Sequence, residues 1–268
     1  MRAALTLILL LATQAQAATL CTLVGDARQA RTLYATGECS TRVTPASTFK
    51  LPLAVMGFDS GVLRDAQHPV FEHRPGEPDW GGAAWLQPTD PQRWITYSVV
   101  WYSQRITHAL GQARVEERLR AYGFGNADLR GDAGQNNGLE RGWIASSLQV
   151  SPREQLAFID KLATVTLPAS PRAQALTAQL ARLPQTIDGW EIHGKTGAAY
   201  PRDAHGGFDE AHGYGWFVGW ASKGERVLSI VRLIQDDSPH PTTPGVRARD
   251  ALLAEWPALL AKLPNAAQ

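Results

Sequence analysis

The sequence predicts a mixed α/β fold of the α+β kind: an antiparallel sheet flanked by helices, with an all-helical lobe inserted between its strands. Three observations predict it. Strand-like runs lie near the two ends of the chain. The middle, residues 88–182, carries amphipathic stretches at helical spacing. An apolar-faced segment, residues 245–262, follows the last strand-like run. This order places a sheet lobe at about residues 18–60 and 185–268 and a helical lobe at about 61–184, with a ligand cleft expected between them.

The elements follow in order. Residues 20–36 read as a β-hairpin, because Leu20–Val24 and Arg31–Tyr34 are strand-like and Gly25-Asp26 and Gly37 are turn signals. Residues 47–59 read as a helix: Pro45 suits a first turn, and Phe49, Leu51, Leu53 and Val55 are apolar. Gln112–Ala121 and Pro152–Leu162 are amphipathic helical stretches. Residues 190–196, 213–221 and 226–234 alternate or run apolar and read as antiparallel strands. In the last helix Ala251, Leu252, Leu253, Trp256, Leu259 and Leu260 form the apolar set.

Composition narrows the function. A net charge of +1, with no basic cluster interleaved with aromatics, argues against a nucleic-acid partner. The seven histidines show no His-Glu-x-x-His pattern, and His205 and His212 read as exposed loop residues, so no metal is expected. Gly206-Gly207 lacks the following lysine of a phosphate cradle. Arg2, the apolar run Ala3–Ala12 and the small-residue pattern Ala15-Gln16-Ala17 read as a secretory signal peptide over residues 1–17. The mature chain is then expected from Ala18, soluble in the periplasm and off the membrane, as a monomer or homodimer. Cys21 and Cys39 flank the hairpin strands, and in an oxidising compartment a disulfide between them is the expected outcome.

Three short motifs carry the chemistry. Ser47-Thr48-Phe49-Lys50 puts a hydroxyl and an amine three residues apart, neighbours on one helical face. A serine needs a base to become a nucleophile, and burial favours the neutral amine that can serve. Ser98-Val99-Val100 sets a hydroxyl before an apolar pair. Lys195-Thr196-Gly197 offers a cation and a hydroxyl on a strand whose glycine permits close approach. Each motif alone is weak; only five of the 26 basic residues are lysine, yet two of those five fall in these motifs.

Together and in this order, the motifs resemble those of the penicillin-recognising serine acyl enzymes. Ser98-Val99-Val100, in place of Ser-Asp-Asn or Ser-x-Asn, resembles the class D β-lactamases, the oxacillinases. Pro45 to Lys50, Phe124-Gly125-Asn126, Trp143-Ile144 with Ser146-Ser147-Leu148, Trp216 to Trp220 and Gly245-Val246-Arg247 extend the likeness over roughly residues 20–262.

The resemblance implies the penicillin-recognising serine enzyme fold and hydrolysis of small-molecule β-lactams. It implies that Ser47 attacks the ring carbonyl and that the amides of Ser47 and Ala198 form the oxyanion hole. Ser98 and Lys195 would relay a proton to the departing nitrogen, and Thr196 and Arg247, beside Gly197, would hold the substrate carboxylate. It further implies that Lys50 is carboxylated by carbon dioxide, the one cofactor-like requirement. Phe49, Val100, Ile144 and Leu148 would provide dry walls around it, with Trp143 donating its indole N–H. A penicillin sensor or a transpeptidase would acylate without turnover. Phe124 for the family's tyrosine, Ala198 for a bulkier aromatic, and the long Ala199–Gly213 loop depart from the pattern. That loop carries Tyr200, Arg202, Asp203, His205, Asp209 and Glu210, and is expected to border the cleft.

Overall fold

The computed structural model describes residues 17–264; most of the segment read as a signal peptide lies outside them. Six strands form one antiparallel sheet: β1 (Ala18–Asp26), β2 (Arg31–Gly37), β3 (Arg182–Ile187), β4 (Trp190–Ala199), β5 (Tyr214–Lys223) and β6 (Arg226–Gln235). Their order is β2-β1-β6-β5-β4-β3, so the sheet is assembled from both chain ends. Among the described residues, eight α-helices complete the fold: α1 (Lys50–Asp59), α2 (Pro91–Thr96), α3 (Val100–Leu110), α4 (Gln112–Tyr122), α5 (Gly138–Arg141), α6 (Pro152–Ala163), α7 (Pro171–Ala181) and α8 (Pro244–Lys262).

The central strands of the sheet, such as β5 and β6, are buried on both faces. In β6, Ile230 and Ile234 join a core with Trp256 and Leu252 of α8, while Val231 and Leu233 join the core shared with the other helices. Alternate residues of one strand thus serve two cores, as a period of two requires. Helix starts are specified locally. Ser151 and Glu154 form a reciprocal capping box before Pro152, and Asp90 and Ser170 cap α2 and α7 ahead of Pro91 and Pro171.

Several boundaries differ from the sequence expectation. The first hairpin turns at residues 27–30, since Asp26 pairs with Arg31; Gly25 lies inside β1, where a Cβ would stand 2.5 Å from Ser229 Oγ. β3 is a strand that the sequence reading does not include, because RLPQTI, with Arg182, Pro184 and Gln185, has no apolar alternation. It is an edge strand, where proline and exposed polar side chains are tolerated. It joins β4 through Asp188-Gly189, both at positive φ (49° and 77°), the geometry of a tight two-residue hairpin. The expected Cys21–Cys39 disulfide is present, with Cα atoms 5.2 Å apart, and ties β1 to the segment just after β2.

Candidate active site

The turn carrying Ser47 is a single 3-10 turn, Ala46–Phe49, that runs directly into α1, so Ser47 precedes the α-helix and Lys50 opens it. Ala46 holds a φ of 50° and Ser98, across the cleft, one of 59°. Side chains other than glycine seldom adopt this region, and each instance costs about 1–3 kcal/mol unless its surroundings enforce it. At Ala46 they do. Its N–H donates to the Trp143 carbonyl (3.0 Å), which also accepts from Thr44 Oγ1 (2.9 Å), and Thr44 Oγ1 accepts from the Ala145 N–H (3.0 Å). The loop carrying Trp143 is thereby strapped to the turn carrying Ser47.

Strand β4 forms the opposite wall. β3 pairs with it only as far as His193, so Lys195–Ala199 present an edge that β3 leaves open. This edge comes close to the turn carrying Ser47: a Cβ on Gly197 would lie 2.9 Å from the Pro45 carbonyl oxygen and 3.0 Å from Thr48 Cγ2. A glycine follows Lys195-Thr196 because nothing larger fits there.

Between these walls lies a cavity of about 400 Å³. Ser47, Ser98, Val100, Ile144, Thr196, Gly197 and Ala198 line it, so residues far apart in sequence meet. Lys50, Phe49, Trp143 and Leu148 do not line it; they lie beneath it, buried. Trp143 stacks on Phe49 with ring centroids 5.0 Å apart. Lys50 is 0% exposed, and its Nζ lies 3.4 Å from Ser47 Oγ. Burial, and then the nearby Lys195, hold its amine well below the ordinary lysine range.

Lys195 is also buried, and burial, aided by Arg249, lowers it to about 7. Its Nζ donates to the carbonyl and hydroxyl of Thr196 (3.0 and 3.2 Å), and it borders an adjacent cavity behind the β4 wall. Arg247 stands near the start of α8, paired with the buried Asp236 and donating Nε to the Thr242 carbonyl (3.1 Å). Its α8 neighbours Thr243, Gly245 and Val246 line the cavity, but Arg247 itself does not. Phe124 is wholly buried, edge-on to Phe158 at 5.4 Å, and belongs to the core. No cluster of three or more His, Cys, Asp or Glu side chains suited to a metal occurs among the described residues.

Sequence reasoning missed the rim of the cavity. Trp80, Gly81, Trp85 and Tyr97 line it, with Trp80 and Trp85 rings 5.5 Å apart and Arg93 stacked 4.6 Å over Tyr97. Tyr200 completes the rim, placing the start of the long loop at the cleft as anticipated. The usable signal was two tryptophans five residues apart in a Gly-rich stretch with no periodicity.

Comparison with known proteins agrees with this geometry. The family model of the penicillin-binding protein transpeptidase domain matches residues 11–255. The chain is 40% identical over 240 residues to Beta-lactamase OXA-9 of Klebsiella pneumoniae, covering 90% of this chain and 88% of that protein. It is 31% identical over 213 residues to Beta-lactamase OXA-1 of Escherichia coli, covering 79% and 74% respectively. The solved structure of the OXA-427 class D β-lactamase matches with a TM-score of 0.84 and 44% identity, covering 91% of this chain and 99% of that one.

Proposed function

The chain belongs to the class D β-lactamases, within the penicillin-binding transpeptidase-domain family, and we propose that it hydrolyses penicillin-type β-lactams through an acyl-enzyme on Ser47. One observation carries this reading: a wholly buried lysine amine lies 3.4 Å from the Ser47 hydroxyl and has no salt bridge to an acid among the described residues.

The residues around Lys50 suit carboxylation. A neutral amine in a dry pocket is the form that adds carbon dioxide, and Phe49, Val100, Trp143 and Leu148, the walls this reading assigns to it, are all buried. Carboxylation would supply a general base next to Ser47. The chain's own groups account for the rest. Ser47 loses its proton toward Lys50 as its Oγ bonds to the ring carbonyl carbon, and the carbonyl oxygen gathers negative charge. The amides of Ser47 and Ala198 hold that oxygen; such a donor contributes roughly 3–4 kcal/mol to the transition state.

The ring C–N bond then breaks, and the departing nitrogen takes a proton from Lys195 by way of Ser98. An amine that titrates at about 7 gives and regains a proton readily at neutral pH. The proton that Lys50 took from Ser47 passes on to restore Lys195, which frees Lys50 to take a proton from water. That water attacks the ester carbon, and Lys50 returns the proton to Ser47 Oγ as the ester C–O bond breaks. Thr196 and Arg247 hold the substrate carboxylate; two of the Arg247 nitrogens are already engaged, which fixes the guanidinium plane and leaves Nη1 for the ligand. The same reading makes residues 1–17 a cleaved export signal, the mature enzyme periplasmic, and its consequence resistance to these antibiotics. Among the described residues no helix is long and apolar enough to cross a membrane.

The test is to mix the purified protein with excess benzylpenicillin and bicarbonate and follow ring opening. Sustained turnover over many equivalents, abolished in Ser47→Ala, is expected. A burst of one equivalent that stops would indicate a sensor or transpeptidase instead.

A further inference from the structure

The loop between β4 and β5 does more than border the cleft. Arg202 and Phe208 pair across it as an isolated antiparallel bridge. Asp203 closes the tip, accepting from the N–H groups of His205 and Gly207 (both 2.8 Å). Phe208 is 43% exposed, yet it is held between two cations, with the Arg202 guanidinium 4.2 Å and that of Arg141 5.5 Å from its ring centre. Both arginines also reach the Asp132 carboxylate, Arg202 at 3.5 Å and Arg141 at 3.7 Å. Burial alone would raise the Asp132 carboxyl; Ser146, Asn137 and the two arginines outweigh it and hold the group below the usual range.

Arg141 ends α5 and lies two residues before Trp143, and its carbonyl accepts the Ile144 N–H (2.6 Å). The Trp143 carbonyl in turn holds Ala46, and the Trp143 ring covers Phe49. A continuous set of contacts therefore runs from the exposed loop to the turn that buries Lys50. Arg202 and Phe208 have no contact with Ser47 or Lys50 in this set; any influence they have passes through Arg141 and Trp143.

We propose that Arg202, Phe208, Arg141 and Asp132 form a latch that holds the Trp143 loop closed over Lys50 and sets how firmly Lys50 keeps its carboxyl group. These are positioning residues, and the proposal rests on the reading of Lys50 as a carboxylated base. Formation of that group joins the neutral Nζ to the carbon of carbon dioxide and releases one N–H proton to solvent; water entering under Trp143 favours the reverse.

The experiment records the ¹³C carbamate signal against ¹³C-bicarbonate concentration for the full-length protein, Arg202→Ala, Arg202→Lys and Asp132→Asn, with turnover and thermal unfolding measured alongside. The bicarbonate needed for half occupancy should rise about tenfold in Arg202→Ala, the size expected when a stacked guanidinium and an ion pair are lost together. Asp132→Asn should also require more, and Arg202→Lys should fall between wild type and Arg202→Ala. Turnover in saturating bicarbonate should return to within about twofold of wild type, since the latch touches no reacting atom. Unchanged half-occupancy in the variants, or a loss of turnover that bicarbonate does not restore, overturns the latch. A wild-type protein with no carbamate signal would instead overturn the reading of Lys50 on which it rests.

Discussion

The floor and the rim of the cleft are made of opposite materials. At the floor Phe49, Lys50, Trp143 and Leu148 are at most 1% exposed, whereas on the rim Trp80 is 61% and Tyr97 45% exposed. Burial at the floor holds the Lys50 amine well below the ordinary lysine range, with its Nζ 3.4 Å from Ser47 Oγ. Exposure at the rim leaves aromatic faces for whatever side chain a substrate carries. The contrast teaches where each kind of substitution should act: floor changes on the chemical step, rim changes on binding.

Trp143→Phe probes the floor most severely, because it keeps a ring against Phe49 but removes the indole N–H. Turnover at ambient bicarbonate should fall about a hundredfold, the scale of a weakened general base, with partial recovery in saturating bicarbonate. Wild-type turnover in this variant would break the contrast. Trp80→Ala probes the rim. For substrates with an aromatic side chain it should raise KM about three- to tenfold, in line with an aromatic contact, with kcat nearly unchanged. A drop in kcat instead would show that the rim takes part in the chemistry.

A buried charge outside the cleft sharpens the comparison. Asp160 on α6 is 7% exposed, and burial raises its carboxyl above the usual range; its Oδ1 and Ser229 Oγ both lack hydrogen-bond partners among the described residues. Because its folded pKa is raised, its contribution to stability is fully present below the unfolded carboxylate value and is lost as pH rises through the folded one. Asp160→Asn should therefore raise stability by about 1 kcal/mol at pH 8, and the gain should shrink toward pH 4. Thermal unfolding of both proteins across that range measures it. Equal stability at every pH would mean that burying charge carries no cost in this region, and the special status of Lys50 would weaken.

The legibility of the chain follows the same division. Part of the floor was readable from spacing, Ser47 and Lys50 lying one turn apart, whereas Trp143 and Leu148 were reached only through the family resemblance, because no local pattern ties them to Lys50. The sheet was readable because strands buried on both faces, such as β6, run apolar. β3 was not, since an edge strand with Pro184 and exposed polar residues has no apolar signature. The rim was also hidden. Trp80 and Trp85 follow no period, and only the turn through Gly81, where a Cβ would lie 2.0 Å from the Trp85 ring, brings them to the cleft. Arg247 showed in sequence as a cation near a helix start, but its engagement with Asp236 depends on tertiary placement.

The account's central claim is that Lys50 serves as the base for Ser47. Intact-protein mass spectrometry of Lys50→Ala after exposure to benzylpenicillin tests it most directly. The account predicts that an adduct on Ser47 equal in mass to the whole antibiotic forms far more slowly than in wild type and, once formed, persists, while wild type returns to its unmodified mass. A Lys50→Ala protein that clears the adduct and turns over like wild type would contradict it.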